Sequence, residues 1–203
     1  MLFFQTAKST TVLFITRSSQ MPVQKRQESI IAKQQAPLRQ LYAAEPGKAL
    51  TRKSARTSST TIPATDPLHG EVEIGDGYGT YLRFGLDRHV GGLHDAPNPG
   101  DLLCAALATC TDGAIRMIAD LLGVRLTALE VAVTGELDIP GCLLIDRDVR
   151  IGFERLDCSV RLEAAEGTDP RRLKALVAAA EKVCVNLDTL RSGVEVTTEI
   201  LGS

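Results

Sequence analysis

The chain reads as an α+β fold in which a curved antiparallel sheet wraps two central helices, and three observations support this. The stretch from Pro99 to about Gly123 keeps a nearly unbroken apolar face at helical period. A second helical pattern opens at Asp169-Pro170 and repeats Leu173, Leu176, Val177, Ala180 and Cys184. Around these, several short segments alternate apolar and polar residues as half-buried strands do. The order is hairpin, long helix, two strands, helix, strand.

Taken along the chain, residues 1–27 hold no acidic side chain and many Ser and Thr, with Lys8, Arg17, Lys25 and Arg26. They partly resemble an organelle transit peptide, but the apolar runs are short and arginine is sparse. The expectation is a flexible extension, with Met21-Pro22 as the functional start. A leader helix is expected from about Glu28 to Ala44, broken at Pro37. Lys48 to Thr61 is polar and basic, a linker or an edge strand. Glu71 to Leu86 reads as a hairpin turning at Gly75-Asp76-Gly77. Breakers crowd Gly91 to Pro99, and Asn98 then stands as N-cap with Pro99 in the first turn. Strands follow at Leu129–Ile139 and Val149–Glu163, and Val194 to Leu201 alternates as a closing strand. The organisation is therefore an extension over 1–27, a leader helix with linker or edge strand over 28–61, and one domain over 62–203.

Composition narrows the function. The 203 residues carry a formal net charge of −2 and no basic stripe, which speaks against a nucleic-acid partner. Aromatics are few and Trp is absent, so stacking platforms for bases or sugars are not expected. No segment is expected to be long enough to span a membrane. The five cysteines (Cys104, Cys110, Cys142, Cys158, Cys184) are odd in number and lack both C-x-x-C and zinc spacing. A reducing cytoplasm fits, and neither a metal nor a cofactor is expected.

Two of those cysteines stand out. Cys110 shares a helical stripe with Leu103, Ala106, Leu107, Gly113, Ala114 and Met117. Cys184 shares one with Val177, Ala180 and Leu187, edged by Glu181, Asp188 and Arg191. Both thiols are expected to point inward, where two helices can bring them together for redox chemistry. Taken singly, either is a common buried residue. Cys104 lies about 120° away from Cys110 around the helix and reads as packing. Cys142 in a turn and Cys158 on a strand read the same way. His69, His89 and His94 sit in loops as surface or capping groups, and Asp112, Arg116 and Asp120 form a salt-bridge row.

The blocks Gly91-Gly92, Asn98-Pro99 with Asp101-Leu102-Leu103, Ala105 through Thr111, Leu126 to Glu136, and Glu181-Lys182-Val183-Cys184 with Leu190 together resemble the OsmC/Ohr family of thiol peroxidases. The resemblance runs from about Gly70 to Ile200, and Ala36 to Tyr42 is similar to a leader helix of one branch. It implies an intertwined homodimer with two interface sites, each reducing organic hydroperoxides with two cysteines. By that resemblance Cys110 attacks the peroxide, Cys184 resolves the product, and a dithiol restores both. One branch carries Glu directly after the Asn-Pro pair, where this chain has Gly100, and Pro after the second cysteine, where it has Val185.

The attacking thiol needs a lowered pKa. Cys110 lies roughly 16 Å along its helix, beyond the reach of that helix's own dipole. A cation is therefore expected from elsewhere, with Arg83 and Arg88 as candidates. The leading function is reduction of lipid-like organic hydroperoxides. The alternatives are a non-catalytic protein binding a small apolar ligand at the dimer interface, and a structural dimer without turnover.

Overall fold

A computed structural model of the chain describes residues 28–201 and the two-residue strand β1 (Val12–Leu13). Apart from β1, the expected extension over 1–27 and its start at Met21 lie outside the described residues. The fold is α+β, with its strands in two three-stranded sheets and its chain in two compact units.

One unit comprises residues 33–105 and 133–157. Its sheet runs β2 (Ala55–Ser58), β3 (His69–Ile74), β4 (Tyr81–Gly85), all antiparallel, with Val72 opposite both Thr57 and Leu82. The polar tract is thus an edge strand, and its four exposed residues suit that position. The hairpin forms as expected. Beyond it, a Cβ at Gly92 would collide with the Leu86 carbonyl, so only glycine fits there. The chain then enters helix α2 (Pro99–Leu122) through a capping box. Asn98 Oδ1 accepts from the Gly100 N–H at 2.8 Å, and Asp101 Oδ2 accepts from the Asn98 N–H at 2.9 Å.

The other unit comprises residues 1–32, 106–132 and 158–203. Its sheet has the order β1, β6 (Arg155–Ala164), β5 (Leu126–Glu136). Strands β5 and β6 run antiparallel, with the Ala165 N–H on the Arg125 carbonyl and Arg161 paired to Glu130. β1 lies parallel to β6, with Val12 opposite Val160. Leu156, Cys158, Val160 and Leu162 face inward along β6 while Asp157, Ser159 and Arg161 are exposed. The core gathers Ile115, Leu162 and Leu176, all with no exposed surface, beside Leu107, Ala114, Ala119, Leu173, Val177 and Ala180. Gly123 (φ 63°) closes α2 in the left-handed conformation a helix end favours.

Several expectations need correction. Helix α1 (Ile30–Ala44) runs through Pro37 without a break. No residue of α1 is buried, so the rung that proline cannot make falls where water reaches it. The Val149–Glu163 strand begins only at Arg155, and a short helix α3 (Ile139–Cys142) follows β5. Residues 194–201 form no strand, and Val194, Val196, Ile200 and Leu201 are all exposed. Helix α2 is in fact long and apolar enough to cross a bilayer by length and composition. In the fold its Leu107, Thr111, Ala114, Ile115 and Ala119 are buried within protein.

The largest correction concerns Cys184. It does not lie on the body of a helix. Helix α4 (Pro170–Glu181), capped by Asp169, ends three residues earlier, and Cys184 is the N-cap of α5 (Val185–Ser192). The charged positions Glu181, Asp188 and Arg191 on the supposed stripe mark that break. The side chain still continues the buried row Leu173, Leu176, Val177, Ala180, and Cys184 is 1% exposed.

Candidate active site

The buried face of α2 is centred one residue beyond Cys110. Thr111 stands among Leu107, Ala114 and Ile115 and is the polar member of that face, 5% exposed. Cys110, about 100° around the helix from it, is half-buried at the rim. The break between α4 and α5 carries Cys184 to both. Cys110 feels the charge of Cys184, Thr111 Oγ1 lies 3.6 Å from Cys184 Sγ, and the N–H of Asn186, two residues past Cys184, reaches Cys110 Sγ. The two cysteines singled out in the sequence are therefore brought together.

Helix α5 supplies the rest. Its first-turn N–H groups have no partners within the helix and can serve an acceptor outside it. The Asn186 N–H donates to Cys110 Sγ at 3.4 Å. The Asn186 side chain fixes this arrangement, donating through Nδ2 to the Ala106 carbonyl on α2 at 2.7 Å. Burial, the largest influence, pushes the Cys110 thiol above the ordinary cysteine range, as do the hydrogen bond and charge of Cys184. The Asn186 and Val185 N–H groups pull it back by stabilising the thiolate. These amides act in the direction expected of a cation, but burial outweighs them and the Cys110 thiol stays raised rather than lowered.

Asn186→Ala removes the side-chain tie while leaving the backbone amide in the sequence. Alkylation of Cys110 is expected to slow at neutral pH and its pH profile to move upward. An unchanged profile would show that the tie does not position the amide.

The family model described as OsmC-like protein matches residues 92–199, just over half of the chain and both thiol-bearing segments. The chain belongs to the OsmC family. Its fold is similar to an OsmC-like protein from Mycoplasma pneumoniae, at 14% identity and TM-score 0.55, covering 70% of this chain and 89% of that one. An OsmC-like protein of unknown function from Vibrio cholerae gives 15% identity and TM-score 0.55 over 69% and 94% of the two chains. An organic hydroperoxide resistance protein from Elizabethkingia anophelis gives 18% identity and TM-score 0.52 over 72% and 92%. Compared with curated proteins, the sequence matches none.

Other singled-out residues of this OsmC-family chain take structural roles. Arg83 is committed to Asp95 at 3.0 Å. Asp95 also meets His69 Nε2 at 2.9 Å, and His69 Nδ1 meets Asp66 at 3.2 Å. Held between two carboxylates, His69 has a raised pKa, with Asp95 the larger cause. His89 and His94 both face Asp87, at 2.7 and 3.3 Å. Arg88 opens a short 3-10 turn. Cys104 and Cys142 belong to the other compact unit. Asp112 and Arg116 pair on α2. Asp120 leaves the expected row, accepting from Ser29 Oγ at 2.6 Å and the Ile31 N–H at 2.8 Å at the start of α1.

At Gly100 a Cβ would stand 3.0 Å from Asn98 Oδ1 and 3.2 Å from the Phe153 ring. The place of the branch's Glu is thus taken by Phe153, and Asp101 serves the helix cap. Sequence reasoning missed Thr111, Asn186 and Cys158 as members of the site. Asn186 and Asp188 just after Cys184 were the available sign of a new helix start. Cys158 was legible only as an inward strand position. Burial, the largest influence, pushes its thiol pKa up, with Thr111 lowering it and the charge of Cys184 raising it.

Proposed function

We propose that this OsmC-family chain is a thiol-dependent peroxidase that reduces organic, lipid-like hydroperoxides in the cytoplasm without a bound cofactor. The observation that carries this reading is the meeting of the two thiol segments, with the Asn186 N–H on Cys110 Sγ at 3.4 Å and Thr111 Oγ1, next along α2 from Cys110, 3.6 Å from Cys184 Sγ. The Elizabethkingia neighbour's description as an organic hydroperoxide resistance protein supports it.

The Cys110 thiolate attacks the terminal peroxide oxygen and the O–O bond breaks. The leaving alkoxide takes a proton and departs as an alcohol, and Cys110 becomes a sulfenic acid. The Cys184 thiolate then attacks the Cys110 sulfur, and hydroxide leaves as water after protonation. The resulting disulfide is reduced by an external dithiol through thiol exchange. The Asn186 and Val185 N–H groups favour the charged form of Cys110 at the first step. Cys110 is the half-buried member and meets the peroxide, while the buried Cys184 waits behind it.

The exposed, alternating apolar segment 194–201 supports a homodimer in which this segment gains a partner. Light scattering at micromolar concentration should give the mass of a dimer, and a monomer mass would contradict this. A second reading, an OsmC-fold protein binding a small apolar ligand without turnover, is favoured by Phe153 at the Gly100 position and the upward-shifted Cys110 thiol. Peroxide consumption by purified protein with dithiothreitol separates the two. Steady consumption of cumene hydroperoxide is expected, and none above the protein-free rate would leave the binding reading.

A further inference from the structure

A threonine inside a helix often returns its hydroxyl to a carbonyl of the preceding turn, and Thr109 does so, donating to the Ala106 carbonyl at 3.1 Å. Thr111, two residues on, reaches across the core instead. Its Oγ1 meets Cys184 Sγ at 3.6 Å, from a position 73 residues away in the chain. Both residues are buried, so bulk water is a poor substitute for either partner. Cys184 is the N-cap of α5, yet its side chain makes no capping hydrogen bond. Helix α5 therefore does not fix where this sulfur points, and Thr111 is placed to do so. Thr111 also stands next to Cys110 on α2, so its hydroxyl ties Cys184 to the turn that carries the attacking thiol. We propose that Thr111 is a positioning residue for disulfide closure, its hydroxyl holding Cys184 Sγ in place and steadying its negative charge as it attacks the Cys110 sulfenic acid. This deepens the peroxidase reading above and rests on it.

A hydroxyl suits both ends of this step, because either atom of the pair can be the donor. It accepts from the Cys184 S–H at rest and donates to the sulfur once the proton has left. The Cys184 sulfur then attacks Cys110 Sγ, the S–S bond forms and the S–O bond of the sulfenic acid breaks. Hydroxide leaves with that electron pair and takes up a proton equal to the one the thiol lost. One thiol and one sulfenic acid thus give one disulfide and one water, with no further oxidant or reductant. The first attack draws on other groups. Peroxide meets the half-buried Cys110, whose sulfur is served by the Asn186 N–H at 3.4 Å. Loss of the Thr111 hydroxyl should therefore slow closure far more than first attack. Slow closure leaves Cys110 as sulfenic acid for longer, where excess peroxide carries it on to sulfinic acid. The buried hydroxyl thereby guards the attacking thiol against overoxidation.

Thr111→Val keeps the shape of the side chain and removes the hydroxyl, whereas Thr111→Ser keeps the hydroxyl and removes the methyl. Reduced protein is given one equivalent of cumene hydroperoxide without reductant, and peroxide loss, dimedone-trapped Cys110 and the Cys110–Cys184 bridge are followed in time. In Thr111→Val the bridge should form about tenfold more slowly than in the native chain, the effect of one lost hydrogen bond to a charged group. Its dimedone adduct should rise to match, and excess peroxide should yield more sulfinic acid. Thr111→Ser should restore closure. Native closure in the valine variant, a serine variant as slow as valine, or equal slowing of attack and closure would overturn the proposal. If the native chain consumes no peroxide, the peroxidase reading itself has failed. Diamide then closes the same bridge without peroxide: native and serine proteins should close it faster than valine, and equal rates would reject the role of the hydroxyl. Thr111→Ala, which also lacks the hydroxyl, replaces valine in both assays if valine proves insoluble.

Discussion

Cys110→Ser is expected to remove organic-hydroperoxide turnover, lowering it by at least about a thousandfold, on the scale seen when an enzyme loses its nucleophile. Serine keeps the volume but not the acidity, and the amides of Val185 and Asn186 cannot make an alkoxide of it near neutral pH. Cys184→Ser should behave differently. The first attack still occurs, so a burst of about one equivalent should appear and then stall at the sulfenic acid. Steady-state assays with dithiothreitol, paired with dimedone trapping, distinguish these outcomes. If Cys104→Ser proved as damaging as Cys110→Ser, the assignment of the attacking thiol would be wrong.

The second large effect concerns substrate. Turnover with cumene hydroperoxide should exceed turnover with hydrogen peroxide by at least about tenfold, or roughly 1.4 kcal/mol of differential transition-state binding. Val183 and Val185 flank Cys184 and are 45% and 68% exposed, offering apolar surface beside the thiols. Covering a couple of methylenes there suffices, at about 0.8 kcal/mol each. Equal kcat/KM values for the two peroxides would remove the lipid-like substrate from the account. The rate should also climb with pH across the neutral and mildly alkaline range. The reactive form is the thiolate, and burial places the Cys110 thiol above the ordinary cysteine value.

Much of this architecture was legible in the sequence because it rests on local chemistry. Asn98-Pro99 and Asp169-Pro170 announce their helices by capping, and the hairpin by its glycine-rich turn. Periodicity placed Leu173, Leu176, Val177 and Ala180 correctly, since one helix controls them all. It failed at Cys184, because a stripe can continue through a break between two helices while the backbone does not. It failed also at Thr111, whose burial depends on how α2 is rotated in the core, and at Cys158, whose neighbours come from distant parts of the chain. The expected cation was a reasonable demand of the chemistry. The structure supplies backbone N–H groups in its place, which only partly offset burial, and their presence depends on where α5 begins, which composition does not show.

The central claim is that Cys110 and Cys184 act as a pair. It is tested most directly by treating reduced protein with a single equivalent of cumene hydroperoxide, quenching at early times with an alkylating agent, and mapping the peptides. A disulfide joining Cys110 to Cys184 should be the first product, and Cys110→Ser should form no peroxide-dependent bridge to Cys184. Peroxide consumed while both thiols are recovered alkylated, or a first bridge that omits both of them, would contradict the account.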